Sequence, residues 1–260
     1  MAPEGGLERE EVEAAALATR AGRALLVLRE RSAGEPRLGE RGDLASHELL
    51  VGELAELFPG DPVRSEEGLT TVSGSGRLWI IDPLDGTREY GEPGRTDWAV
   101  HVALVVGGEP VVGAVALPAL GLTLATGRSA PSVGAPRGGA PRLVVSRSRP
   151  PAVAGAVAAA LGAETIPMGS AGAKIAAVVR GEADCYVHAG GQYEWDSAAP
   201  VAVALAAGLH ASRLDGSPLR YGAVDAWLPD LVVCRVELAP AVLEACGEWD
   251  LEGGAGPVEV

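Results

Sequence analysis

From Glu8 to Arg31, Val12, Leu17, Ala21, Leu25 and Leu28 recur at helical spacing with charges between them, which predicts a long amphipathic opening helix. A second apolar set, Leu44, Leu49, Leu50, Leu54 and Leu57, follows Asp43 and stops before Pro59-Gly60. A helix with Asp43 as its N-cap is therefore expected there. The period then changes. Leu78 to Ile81, Trp98 to Val106, Val111 to Leu117 and Gly121 to Thr126 read as strands, separated by turns such as Gly107-Gly108-Glu109-Pro110. Strands this close in sequence imply an antiparallel sheet.

A Gly/Pro/Ser-rich stretch without periodicity, Gly127 to Pro141, predicts a boundary between two lobes. The first, 1–127, would hold the helix pair, the antiparallel sheet and the metal site described below. The second, 142–250, alternates: strand Arg142 to Ser146, helix Pro151 to Leu161, strand Thr165 to Met168, helix Ala173 to Arg180, strand Ala183 to His188. A helix from about Ser197 to Ala207 follows, then strands near His210 and at Leu231 to Val236, and a last helix near Ala239 to Cys246. This pattern predicts an α/β lobe with helices covering a sheet. The tail after Trp249 is expected to be mobile.

Composition narrows the function. The 260 residues are 47% hydrophobic, enough for a large core. No apolar run approaches the roughly 20 residues of a bilayer span, and Met1 to Glu10 is acidic where a signal peptide is basic and then apolar, so a soluble, cytoplasmic protein is expected. Cys185, Cys234 and Cys246 have no metal-site spacing and read as buried free thiols. A net charge of −14 argues against nucleic-acid polymers and anionic membranes as partners. An anionic substrate would then need bound divalent cations to attract it. Lys174 is the chain's one lysine, kept amid a strong arginine bias.

The chemistry concentrates in three segments. Trp79-Ile80-Ile81-Asp82-Pro83-Leu84-Asp85-Gly86-Thr87 runs a buried strand into two carboxylates, a glycine turn and a hydroxyl. Pro83 ends the strand in this reading, and Gly86 admits close approach of a ligand. Paired carboxylates on one turn repel unless a cation lies between them, and hard oxygen ligands suit Mg²⁺. Read alone, the segment also fits an Asp-Gly hairpin turn. Haloacid-dehalogenase-type phosphatases, with a nucleophilic aspartate two positions before the second one, are excluded because that position is Pro83. Ser65-Glu66-Glu67-Gly68 supplies paired carboxylates, equally readable as a solvated loop. Glu194-Trp195-Asp196-Ser197-Ala198-Ala199 opens a small-residue helix in which Asp196 is either an N-cap or a metal ligand.

Together these segments resemble the inositol monophosphatase superfamily of lithium-sensitive, Mg²⁺-dependent phosphatases, from Asp43 to the C-terminal helix. They look most like its bacterial CysQ branch of 3′(2′),5′-bisphosphate nucleotidases. The resemblance implies an α/β, layered αβαβα sandwich and two or three Mg²⁺ per active site. It implies that Glu66, Asp82 and the carbonyl of Leu84 hold one ion, and Asp82, Asp85 and Asp196 a second, while Asp43 and Glu67 position waters or a looser third ion. Thr87, hydrogen-bonded to Asp43, would orient the attacking water, and the amides of Gly86 and Thr87 would hold the phosphate.

For the second phosphate of a bisphosphate, Ser146, Ser148, Arg149, Ser170, Lys174 and His188 are the candidates. Ser170 and Lys174 sit at a helix start that favours anions. The chain departs from the nucleotidase pattern at His188, where that branch carries arginine, and at Arg149, where it carries histidine. The implied activity is removal of the 3′-phosphate of adenosine 3′,5′-bisphosphate, or of its sulfated form, in sulfate assimilation. Inositol phosphates and fructose 1,6-bisphosphate stay open as substrates, as does an inactive metal-binding regulatory module. The expected partner is a small phosphorylated substrate, and family analogy suggests a homodimer.

Overall fold

The computed structural model describes residues 6–70, 76–133 and 138–251. Helices α1 (Glu8–Arg31) and α2 (Leu38–Leu57) cover one face of a six-stranded sheet. Its strands are β1 (Val63–Ser65), β2 (Gly68–Leu69), β3 (Arg77–Asp85), β4 (Ala99–Val106), β5 (Glu109–Leu117) and β6 (Leu122–Ala125), in the order β2-β1-β3-β4-β5-β6. All neighbours are antiparallel except β1 and β3. One short helix, α3 (Thr87–Gly91), follows β3.

Then come β7 (Arg142–Ser146), α4 (Ala152–Leu161), β8 (Glu164–Met168), α5 (Ala171–Val179), β9 (Cys185–Tyr193), α6 (Glu194–Ala206), β10 (His210–Ser212), β11 (Trp227–Cys234) and α7 (Ala239–Leu251). The second sheet runs β10-β11-β9-β7-β8, parallel across β8, β7 and β9 and antiparallel at β11 and β10.

Strand alternation sorts the side chains into three apolar layers. In β3, Trp79 and Ile81 face α1 and α2, whereas Ile80 faces the middle layer. In the second sheet, Val144, Tyr186, Leu231 and Val233 face the middle, and Leu143, Cys185, Val187, Val232 and Cys234 face α4 and α7. The result is an αβαβα sandwich with α5 and α6 between the sheets. Both middle helices are buried all round, from Gly172 to Val179 and from Ser197 to Ala204, as a helix walled in on both sides must be. Their small residues allow this closeness: a Cβ on Gly113 of β5 would sit 2.5 Å from the Ala199 carbonyl of α6. The middle core thus draws residues from both sides of the 127–142 stretch. The three cysteines are buried and free in the outer layer.

Several expected boundaries shift. Helix α2 starts at Leu38, so Asp43 lies inside it and is not its N-cap. Strand β3 continues through Pro83 to Asp85, with an irregularity between Asp82 and Asp85, the kind of place where a strand tolerates proline. Helix α6 starts at Glu194, which makes Asp196 its third residue and not its N-cap. Helix α7 runs past Trp249 to Leu251, and the rest of the expected mobile tail lies outside the described residues. The elements β1, β2 and α3 have two to five residues each, too few to show a period. No described helix is long and apolar enough to cross a membrane.

Candidate metal centre

Strand β3 carries Asp82 and Asp85 into the interior, each only 7% exposed. Asp82 Oδ1 accepts from the Leu84 amide at 3.0 Å, which fixes the turn between them. Burial, and then the charges of Asp85, Asp196 and Asp43, hold the Asp82 carboxyl well above the usual carboxylate range. The Thr87 hydroxyl donates to the Leu84 carbonyl at 3.1 Å. That bond replaces the one expected with Asp43, because Leu84 O lies one turn back across the Gly86 bend. Gly86 caps α3 at φ 89°, where a Cβ would crowd Ser170 at 3.1 Å and Trp98 at 3.2 Å. Asp43 reaches the site from α2, which approaches so closely that a Cβ on Gly39 would lie 2.5 Å from Thr87 Cγ2. Burial, then Glu66 and Glu67, push the Asp43 carboxyl up to about 6.

Asp85 occupies the N-terminus of α5. It accepts from Ser170 Oγ at 2.5 Å, the Gly172 amide at 2.6 Å and the Ala171 amide at 3.2 Å. The helix start read in sequence as an anion site for substrate is therefore filled by a carboxylate of the chain itself. Ser170 pays for this geometry with φ 28°, one of two non-glycine residues at positive φ among those described. His101 of β4 completes the floor. It pairs across the sheet with Asp82, its Nδ1 donates to the Trp195 carbonyl at 3.0 Å, and its Nε2 lies 3.3 Å from Asp85 Oδ2. Among the described residues Nε2 is buried with no hydrogen-bond partner. Burial lowers the affinity of His101 for a proton, against the pull of Asp85. His101 was not singled out in the sequence. Its signal was a lone titratable residue in the apolar run Ala99–Val106.

Asp196, at the third position of α6, accepts from the Tyr193 amide at 2.7 Å. Burial, then Asp85, push its carboxyl up to about 7, with Glu66 adding to the effect. Glu66 and Glu67 are exposed at the turn joining β1 to β2. That turn is tied to α6 from below: Arg64 Nη1 donates to Glu194 Oε2 at 2.6 Å and to the Ala223 carbonyl at 2.6 Å. Glu194 Oε1 in turn accepts from the amides of Gly222 and Ala223.

The candidates for a second phosphate divide. Lys174 is 5% exposed, and its ammonium folds back onto the carbonyls of Gly169 (2.7 Å) and Ser170 (2.8 Å) and lies 5.2 Å from the Tyr186 ring centre. Burial lowers its pKa, opposed by Asp85, Glu89, Asp196 and Asp97. Ser170 is likewise committed, to Asp85. Ser146, the last residue of β7, and Ser148 just beyond it have hydroxyls 3.5 Å apart, and Ser146 Oγ accepts from the Arg149 amide at 3.2 Å. The Arg149 side chain is exposed. Burial, and to a lesser degree the charges of Lys174 and Arg149, hold His188 below its usual pKa, while its Nε2 donates to the Gly191 carbonyl at 2.8 Å.

The donor set fits divalent cations. Asp43, Asp82, Asp85, Asp196 and Glu66 repel one another across a largely buried site, and the orphaned His101 nitrogen faces Asp85. Ligand atoms of Asp82, Asp85 and His101 all lie within 4.8 Å of one another. A layered αβαβα sandwich with an acidic centre between its first sheet and the starts of its two middle helices fits a class of metal-dependent phosphatases. The inositol monophosphatase family model matches residues 9–243, and the chain belongs to that family. It is 50% identical over 246 residues to the 3′-phosphoadenosine 5′-phosphate phosphatase of Mycobacterium leprae (strain TN), covering 88% of this chain and 90% of that one. To the 3′(2′),5′-bisphosphate nucleotidase CysQ of Escherichia coli (strain K12) it is 33% identical over 192 residues, 69% of this chain and 77% of the other. The crystal structure of CysQ from Bacteroides thetaiotaomicron, a bacterial member of the family, superposes with a TM-score of 0.72 at 28% identity, covering 87% of this chain and 97% of that one.

Proposed function

We propose that this enzyme removes the 3′-phosphate of 3′-phosphoadenosine 5′-phosphate in the cytoplasm, with Mg²⁺ held by Glu66, Asp82, the Leu84 carbonyl, Asp85 and Asp196. The observation that carries the reaction class is the mutual repulsion of these carboxylates and Asp43 at one largely buried site. The 50% identity to a phosphatase of that substrate supports the choice of nucleotide. An all-oxygen set of this kind suits Mg²⁺. When bound, such cations neutralise phosphate oxygens and make water a competent nucleophile at neutral pH.

The chain's own residues supply position. Thr87 spends its proton on the Leu84 carbonyl, so its oxygen is left to accept from the attacking water. Asp43, which feels the charge of Glu67, and Glu67 itself would take up or orient that water's second proton. The Gly86 turn brings backbone amides to the phosphate. Asp85, held by three donors at the start of α5, keeps the cleft rigid between turnovers.

Phosphate release from 3′-phosphoadenosine 5′-phosphate, inositol 1-phosphate and fructose 1,6-bisphosphate, with and without Mg²⁺, tests the reading. The expected result is Mg²⁺-dependent release with the highest kcat/KM on the nucleotide, inhibited by lithium. A preference for inositol 1-phosphate would overturn the substrate assignment, and release without a divalent cation would overturn the metal centre.

A further inference from the structure

Aromatic residues are scarce here: five tryptophans, four tyrosines and one phenylalanine. Among the described residues the two exposed ones are Tyr193 (46%) and Trp227 (44%), and they are side by side. Tyr193 ends β9, Trp227 starts β11, and the two are partners across the sheet. The Tyr193 ring stacks on Trp195 at 4.7 Å and 9°, and meets Trp227 edge-on at 5.6 Å and 80°. The Trp227 indole lies against the chain at Gly191, where a Cβ would come within 1.7 Å of Cζ2, so glycine is required there.

This ledge is built into the metal centre. The Tyr193 amide donates to Asp196 Oδ2, the Trp195 carbonyl accepts from His101, and the Gly191 carbonyl accepts from His188. Leaving two large rings in water is unfavourable, and neighbouring exposed rings beside a polar cleft mark a ligand contact. A second copy of a chain carrying −14 is a poor occupant beside an acidic site. A flat heteroaromatic ring attached to a phosphate is a good one: the phosphate goes to the cations, and the ring packs on aromatic faces with little regard for which base it is. We propose that Tyr193 and Trp227 form the platform on which the base of the nucleotide stacks. This rests on the nucleotide phosphatase reading above and explains how the site would favour a nucleotide over a sugar phosphate.

The test compares adenosine 3′,5′-bisphosphate with the same ribose bisphosphate carrying a methyl group in place of the base. In the wild type, kcat/KM should be at least about tenfold higher for the base-bearing compound, mostly through KM. Trp227→Leu and Tyr193→Leu should bring that ratio towards one, and Trp227→Phe should restore most of it. Equal efficiency of the wild type on the two compounds overturns the platform while leaving the phosphatase reading standing, and needs no variant to fold. An unchanged ratio in both folded leucine variants overturns it too. No release from either compound overturns the phosphatase reading and the platform with it.

Discussion

Arg64 and Glu194 stand 130 residues apart in sequence and meet in a buried ion pair, Nη1 to Oε2 at 2.6 Å. Arg64 lies two residues before Glu66, and Glu194 two before Asp196. One bond therefore sets the distance between a turn of the first sheet and a helix of the second, each carrying a proposed metal ligand.

Breaking this pair from one side leaves a buried charge unpaired, a loss of about 3 to 5 kcal/mol in such settings. Arg64→Leu should lower the urea midpoint accordingly and raise the Mg²⁺ concentration needed for half-maximal activity. Paired loss of both charges in Arg64→Leu/Glu194→Gln should recover part of the stability but not the metal affinity. A single variant with unchanged Mg²⁺ dependence would show that the clamp does not position the ligands.

Gly172 is the residue of α5 against which His101 and Asp85 close. A Cβ there would lie 1.9 Å from His101 Nε2 and 3.1 Å from Asp85 Oδ2, and neither can retreat, being anchored to Trp195 O and to the α5 start. Gly172→Ala should cost about 1 to 3 kcal/mol, as overpacking does, and weaken cation binding. Gly155→Ala in α4, where a Cβ meets nothing within 4 Å, is the control and should be neutral or stabilising. Thermal denaturation of the two, with Mg²⁺ titrated in, decides.

Asp196 is pushed up to about 7 and Asp43 to about 6, from an ordinary 3.8. Without cations the folded protein keeps protons on these groups that the unfolded chain has already released. Their contribution to stability is complete below the ordinary carboxylate pKa and is lost as pH rises towards about 7. The chelated protein should thus melt at lower temperature at about pH 7.5 than at about pH 5. Mg²⁺ should raise the melting temperature more at the higher pH, where protons no longer compete for the ligands. Asp196→Asn should flatten the pH dependence. Scanning fluorimetry across pH reads all three, and an unchanged slope in Asp196→Asn would sink the linkage.

Lys174 holds the two carbonyls behind the strained Ser170 turn. Lys174→Met removes both bonds at little change in volume and should cost about 1 to 3 kcal/mol. Because the turn carries Asp85, activity should fall on bisphosphate and monophosphate substrates alike. A loss confined to the bisphosphate would instead show that the ammonium reaches the second phosphate.

What could be read along the chain was whatever repeats or concentrates within a short stretch. The α1 period, the β4 and β5 runs and the alternation after residue 142 follow from local spacing, so their elements fall within a few residues of the expected limits. The acidic segments at Glu66, Asp82 to Asp85 and Asp196 stood out for the same reason: like charges set beside glycines and small residues need an external partner. Long-range geometry was not available there. Asp43 looked like a cap because nothing in sequence shows that α2 begins at Leu38. Lys174 looked like a contact for a second phosphate because its burial depends on how Tyr186, from another strand, closes over it. The start of α5 looked like a substrate site because its true occupant, Asp85, lies 85 residues before Ser170. His101, Arg64 and Glu194 act through partners on other elements, and their roles are properties of the sandwich. Local chemistry was determined by the sequence, whereas which groups neutralise, anchor or expose one another was decided only when two sheets and two middle helices packed, because charge and burial are set by distance in space.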